Sequence, residues 1–235
     1  LVSVMLVNNE LGTVQPVKEI SEAVRQINAD TLLHTDAVQA YTKIKTDVRE
    51  LGVDMMTMSG HKIHALKGTG AVYIKKGTKI EPLIYGGGQE SGLAPGTEPV
   101  PGILSFAAAA RAAFAAAGGE KEEKLRGRII DALGTLPEFC VVSRGDIPYI
   151  FMVSLKGLRG ETVLHYLEER GICVSTGSAC SKGKPSRVLS ELGLEKDVLD
   201  GALRISLSRF TTQDDAKRLI EALSQAPGAL VKKKR

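Results

Sequence analysis

Apolar side chains crowd residues 1–7, where Ser3 is the one polar position. A short run apolar on both faces predicts a buried strand in a parallel sheet covered by helices. Asn8-Asn9-Glu10-Leu11-Gly12 then forms a polar loop at its C-terminal end. Val17, Ile20, Val24 and Ile27 recur at steps of three and four, which predicts an amphipathic helix. Residues 31–35 read as a second strand ending at Asp36. Residues 55–58 read as a third ending at Ser59, and 70–75 as a fourth. This alternation of strands and a helix predicts an α/β layer with a mainly parallel sheet.

Gly86-Gly87-Gly88 marks a loop, and an alanine-rich helix is expected over 103–117. Gly118-Gly119 interrupts it before a charged helix over 120–136, so a domain boundary is placed between 117 and 118. Residues 118–235 read as a smaller α+β domain: strands at 139–142 and 150–155, a helix at 161–170, and strands at 172–175 and 203–207. A last helix is capped by Thr211 or Thr212, with Asp214 and Asp215 in its first turn, where the helix dipole favours acids.

Composition narrows the class. In 235 residues, 43% apolar side chains suffice for a sizeable core, and 25% charged is ordinary for a soluble globular protein. The net charge of +4 owes much to the closing Lys232-Lys233-Lys234-Arg235, read as a solvated tail. No basic face interleaved with aromatics suggests direct nucleic-acid contact. No stretch approaches the ~20 apolar residues of a membrane helix, and the opening segment lacks the basic lead of a signal peptide. Three cysteines, an odd number, argue against a disulfide framework. A cytoplasmic location is the corresponding expectation.

Chemistry gathers at the predicted strand ends, the edge where open α/β sheets bind ligands. Asn9, Asp36 and Ser59-Gly60-His61-Lys62 all fall there. A lysine can form an imine with an aldehyde. A serine and a histidine beside it can donate to a phosphate, and an aspartate can keep a ring nitrogen protonated. Pyridoxal phosphate needs this set. Gln39, three residues past Asp36 and expected at a helix start, could reach the ring hydroxyl. No metal is assigned.

Cys180 lies in Ser175-Thr176-Gly177-Ser178-Ala179-Cys180-Ser181-Lys182-Gly183-Lys184, a stretch of small and polar residues expected to be an exposed loop. Its lysines would favour the thiolate. Cys140 and Cys173 sit in apolar runs and read as buried small hydrophobes. Arg204, inside the predicted strand Ala202-Leu203-Arg204-Ile205-Ser206, suits either an ion pair or a bidentate bond to a carboxylate.

The three motifs Asn8-Asn9-Glu10-Leu11-Gly12, His34-Thr35-Asp36-Ala37-Val38-Gln39 and Ser59-Gly60-His61-Lys62 resemble successive motifs of cysteine desulfurases. These are class V aminotransferase-like, fold-type I pyridoxal-phosphate enzymes. Gly86-Gly87-Gly88-Gln89-Glu90, Gly96-Thr97, residues 175–180 and residues 204–210 continue the likeness in order. The Cys180 loop is similar to that of the nitrogenase and iron–sulfur-cluster branch.

The resemblance implies a role for each residue. Lys62 carries the cofactor and shuttles protons. Asp36 pairs with the pyridine nitrogen, and Gln39 and Asn9 bond the ring hydroxyl or the substrate. Ser59 and His61 hold the phosphate, and Thr97 reaches the phosphate of a neighbouring subunit in a homodimer. Arg204 binds the substrate carboxylate. Cys180 takes sulfur from L-cysteine as a persulfide, releasing alanine. An iron–sulfur scaffold or a tRNA-thiolation protein is the implied acceptor. Selenocysteine lyase, another class V activity, and an inactive binding partner are the alternatives.

Two departures stand out. The family's loop arginines are absent from Ser91-Gly92-Leu93-Ala94-Pro95, and Pro95 stiffens that turn. The resemblance also implies a further α/β half-domain before Leu1, with a second phosphate loop and a ring-stacking histidine. The chain is therefore expected to be a fragment, a partial large domain plus the small domain.

Overall fold

A computed structural model of the chain describes residues 1–116, 118–176 and 186–230. They fall into two units: Leu1–Val7 with Gln15–Ala117, and Asn8–Val14 with Gly118–Arg235. The short segment Asn8–Val14 thus belongs with the C-terminal residues.

The first unit holds a four-stranded mixed sheet in the order β1 (Val2–Met5), β2 (Leu33–Asp36), β3 (Met55–Ser59), β4 (Gly70–Ile74). The first three strands run parallel, and β4 is antiparallel to β3. Residues 60–69 link β3 to β4, too few for the dozen or more that a parallel crossover needs. β1 differs from the expectation of burial on both faces: Ser3 and Met5 are exposed. It stands at the sheet edge, so one face carries the burial, and the deepest positions of the run are Leu6 and Val7, just past the strand.

Helix α1 (Val17–Ile27) packs through Val17 and Ser21, with Ile20 and Val24 half-buried. Ile27, expected on the apolar stripe, is 87% exposed. Ser21 replaces it as a contact because its hydroxyl donates to Gly52 O at 2.8 Å. Gly52, at φ +67°, closes the single turn α2 (Val48–Leu51), which Asp47 caps by accepting from the Arg49 and Glu50 amides. The alanine-rich helix α3 (Val100–Ala115) begins three residues earlier than expected, with Pro101 in its first turn, where its missing N–H costs nothing.

Asp54 ties these pieces together. One carboxylate oxygen accepts from Leu33 N at 2.9 Å and from Arg25, and the other lies 3.5 Å from Lys75 Nζ. Arg25 also donates to Ala29 O and Thr31 O. Burial pushes the Asp54 pKa up, but the Leu33 amide, Arg25 and Lys75 outweigh it and hold the carboxyl below its usual value. The unfolded carboxyl, near pH 4, therefore binds more protons than the folded one. Its stabilisation is present above that pH and is lost as pH falls through the folded value. Lys75 and Arg25 are partly exposed, which screens the pairs. Asp54→Asn is expected to cost about 1–2 kcal/mol at neutral pH. It should also flatten the acid limb of the stability curve, read by urea denaturation between pH 3 and 7.

The second unit is built on an antiparallel sheet of β5 (Phe139–Ser143), β6 (Ile150–Leu155) and β7 (Ala202–Ser206), in that order. Every residue of the central strand β6 is buried. Helices α4 (Glu120–Leu133), α5 (Gly160–Glu168) and α8 (Gln213–Ala229) cover the sheet. The core joins Ile129, Leu133, Phe151, Leu167, Leu203 and Leu223. Thr212 is the N-cap of α8: its Oγ1 accepts from Asp215 N, and the Asp215 carboxylate accepts from Thr212 N. Short helices α6 (Arg187–Ser190) and α7 (Lys196–Asp200), not expected from the sequence, precede β7. Residues 172–175, expected as a strand, make one bridge, Ser175 to Arg204. Among the described residues, no single helix is long and apolar enough to cross a membrane.

Candidate active site

Because β2 and β3 are parallel neighbours, their C-terminal ends open on the same edge of the first unit's sheet. Asp36 closes β2, and Ser59 closes β3 two residues beyond Asp36's partner Thr57. The chain after Ser59 turns at once into a short 3₁₀ helix, Gly60–Ile63. Gly60 permits this because its amide donates to Thr69 O at 2.8 Å, and a Cβ there would stand 3.0 Å from that oxygen. The turn carries His61 and Lys62 and ends at His64, at φ +70°. Ser59 Oγ lies 2.7 Å from His61 Nδ1, so the two phosphate candidates are already paired. Burial, then Lys62 and Lys67, pushes the His61 pKa down. Cations that disfavour a charged imidazole favour an anion in the same place.

Asp36 Oδ1 accepts from Val38 N at 2.8 Å, which starts the next turn. Gln39 was expected at a helix start; residues 38–43 instead form successive turns. Thr42 breaks the helical path, with φ +66° in a β-branched, buried residue. Gln39 is 9% exposed, and its Oε1 accepts from Lys43 Nζ at 3.3 Å. Thr97 is exposed and outside any helix or strand.

Arg204 and Asn9 meet in the second unit. Arg204 Nη1 donates to the backbone oxygen of Asn9 at 3.0 Å. Its Nε is buried and has no hydrogen-bond partner among the described residues. Burial pulls its pKa down, and Glu10 acts in the opposite sense. A guanidinium edge left unsatisfied in a buried place is costly unless a ligand oxygen completes it. Asn9 owes its place to the loop. Asn8 Oδ1 accepts from the Glu10 and Leu11 amides at 2.9 Å, and Gly12 takes φ +72°. A Cβ on Gly12 would lie 2.3 Å from Ile150 O, so the position requires glycine.

Cys180 lies outside the described residues, within 177–185. The residues flanking that segment are anchored beside Arg204. On one side, Ser175 exchanges backbone hydrogen bonds with Arg204. On the other, Ser186 Oγ bonds the carboxylate of buried Glu10, next to Asn9. Cys140 is half-buried, and burial pushes its thiol pKa up, as for an inert core cysteine. Cys173, expected to be buried, is exposed. Without a strand at 172–174, its side chain is not locked against a sheet.

The first unit thus brings Asp36, Ser59, His61 and Lys62 to one sheet edge, with Gln39 in the turn after Asp36. The second unit, taken by itself, joins Arg204 to Asn9. Lys43 and Glu10 were missed. Lys43 follows Gln39 by four residues, and Glu10 sits inside a motif already singled out. The donor set of the first unit fits pyridoxal phosphate: an amine, an acid, a buried amide and a paired serine and histidine. The orphaned Arg204 Nε fits a carboxylate.

Comparison with known proteins places the chain in a family. A cysteine desulfurase of Nostoc sp. (strain PCC 7120 / SAG 25.82 / UTEX 2576) is 42% identical over 233 residues, covering 96% of this chain and 58% of the relative. The cysteine desulfurase IscS of Methanosarcina thermophila is 39% identical, over 96% of this chain and 57% of its own length. The chain therefore spans somewhat over half the length of these relatives. Among solved structures, a NifS-like protein superposes with a TM-score of 0.88 at 36% identity, covering 97% of this chain and 61% of that one. SspA in complex with cysteine superposes with a TM-score of 0.71 at 32% identity, over 89% and 59%. The aminotransferase class-V family matches residues 1–219, and with nearly the whole length inside that match the chain belongs to this family of α/β enzymes.

Proposed function

We propose that this chain is the part of a cysteine desulfurase that holds pyridoxal phosphate on Lys62 and takes sulfur from L-cysteine onto Cys180. One observation carries the reading: parallel strands β2 and β3 deliver Asp36 and the Ser59–Lys62 turn to a single sheet edge. The relatives named cysteine desulfurase support the choice of reaction. When bound, the cofactor would supply an electron sink next to the substrate carbon.

The residues divide the work. Lys62 offers the amine that bonds the cofactor aldehyde, and afterwards holds or returns a proton at its Nζ. Asp36 would pair with the ring nitrogen and keep it protonated. Ser59 and His61 take the phosphate, and Gln39 donates to the ring hydroxyl. Arg204 grips the substrate carboxylate, with Asn9 beside it. Thr97 serves the phosphate site of a second subunit in a homodimer. A sulfur-accepting protein of iron–sulfur assembly or tRNA thiolation, in a reducing cytoplasm, completes the proposal. The test is borohydride capture of pyridoxal phosphate: one label on Lys62 is expected, and a label spread over surface lysines would contradict the reading.

A further inference from the structure

We infer that Asn8 is a positioning residue of the carboxylate subsite: it fixes the Asn9–Glu10 peptide group, which in turn holds the Arg204 guanidinium and leaves its Nε available for a ligand oxygen. This role rests on the proposed use of Arg204 and extends it to a residue with no chemical part of its own.

One peptide group lies between the two side chains. Its N–H, from Glu10, donates to Asn8 Oδ1 at 2.9 Å. Its carbonyl oxygen, from Asn9, accepts from Arg204 Nη1 at 3.0 Å. Bonds at the two ends of one amide polarise each other, so each strengthens the other. The group is planar and turns as a unit. Held at one end only, it could rotate and carry the Arg204 bond with it. Asn8 Oδ1 also accepts from Leu11 N at 2.9 Å, and Gly12 N donates to Asn8 O at 3.0 Å. The asparagine thus closes the turn through both its side chain and its backbone.

Further bonds hold this turn within the second unit. Ser143 Oγ donates to Leu11 O at 2.8 Å, and Asp146 N donates to Gly12 O at 3.0 Å. Ser186 Oγ donates to the buried Glu10 carboxylate. Arg204 is fixed at its backbone, which exchanges hydrogen bonds with Ser175 and pairs with Met152 in the sheet. The freedom left to Arg204 lies in its side-chain torsions, and the bond to the Asn9 carbonyl selects among them. Preorganisation of this kind raises affinity by lowering the ordering cost of binding. Loss of one anchor on a charged donor corresponds to about a tenfold weaker grip.

Arg204 can be probed without cofactor. The full 235-residue chain is treated with phenylglyoxal, an arginine reagent, under rising L-alanine, the carboxylate product of the proposed reaction. Mass spectrometry follows the Arg204 peptide. L-alanine should shield Arg204 in the parent chain. Asn8→Ala should raise the half-shielding concentration about tenfold. Asn8→Asp, whose carboxylate can accept from the same Glu10 and Leu11 amides, should stay within about threefold of the parent. With pyridoxal phosphate and L-cysteine added, Asn8→Ala should raise KM and change kcat less. Should Asn8→Ala fail to fold by circular dichroism, Asn8→Ser, a shorter and weaker acceptor, should show the same shift at smaller size. Parent-like shielding in the folded Asn8→Ala or, in its place, Asn8→Ser chain overturns the inference. So does an equal shift in Asn8→Asp, which would mark general loosening of the loop. An Arg204 that L-alanine leaves unshielded in the parent chain would sink the proposed role of Arg204 and this one with it, a result distinct from the other two.

Discussion

Cys180→Ala is expected to abolish sulfur transfer, by at least about 10³-fold, while leaving cofactor capture on Lys62 unchanged. In the proposed reaction the Cys180 thiolate attacks the sulfur of the bound cysteine. A sulfur–sulfur bond forms, and the substrate carbon–sulfur bond breaks. The bonding pair stays with the substrate carbon, where a proton completes the methyl of alanine. The balance is L-cysteine plus thiol giving L-alanine plus persulfide, with no external oxidant. An alanine at 180 supplies no nucleophile for the first of these bonds. The control is Cys173→Ser. Cys173 is the exposed cysteine among the described residues, so it is the obvious competitor for any reagent, yet its removal should leave alanine production intact. Alanine and persulfide are measured with L-cysteine and pyridoxal phosphate added. If Cys180→Ala keeps full persulfide yield while Cys173→Ser loses it, the assignment of the acceptor is wrong.

Arg204 should give the second large effect. Arg204→Lys is expected to lower kcat/KM for L-cysteine by about 10²–10³-fold, mostly through KM. Arginine can serve the Asn9 carbonyl with Nη1 and still offer its buried, unpartnered Nε to a carboxylate. A lysine has one nitrogen for both tasks and cannot bind a carboxylate through two parallel bonds. Arg204→Leu should lose as much activity yet change the folding free energy by only about 1 kcal/mol, because it also removes the cost of burying a charge. A structural arginine would behave in the opposite way, with stability falling and KM unmoved. Thermal unfolding and steady-state kinetics on both variants separate the two.

Much of this site was legible in the sequence because strand ends are. Hydrophobic runs located β2, β3, β6 and β7 to within a residue or two, and the polar residue closing each of the first two strands marked the edge where ligands bind. The cap of α8 was narrowed in the same way to Thr211 or Thr212, and the structure assigns it to Thr212, paired with Asp215. Positions governed by tertiary contact were not legible. Residues 172–175 have the composition of a strand, but the structure gives them a single bridge. That misreading also placed Cys173 in the core. Gln39 looked like a helix start because nothing local announces that Thr42 takes a positive φ. The short helices α6 and α7 are only four and five residues long, below the length at which periodicity is informative. Lys43 was overlooked because a lysine in a polar stretch reads as solvent-facing until its buried partner is seen.

The central claim is that Lys62 is the residue that bonds the cofactor. The most direct test incubates the chain with pyridoxal phosphate, reduces it with borohydride, and maps the modified peptide by mass spectrometry. The account predicts one stoichiometric label, on Lys62, lost in Lys62→Ala and reduced by Asp36→Ala. A label spread evenly over surface lysines, or one placed on Lys43 with Lys62 unmodified, would contradict it.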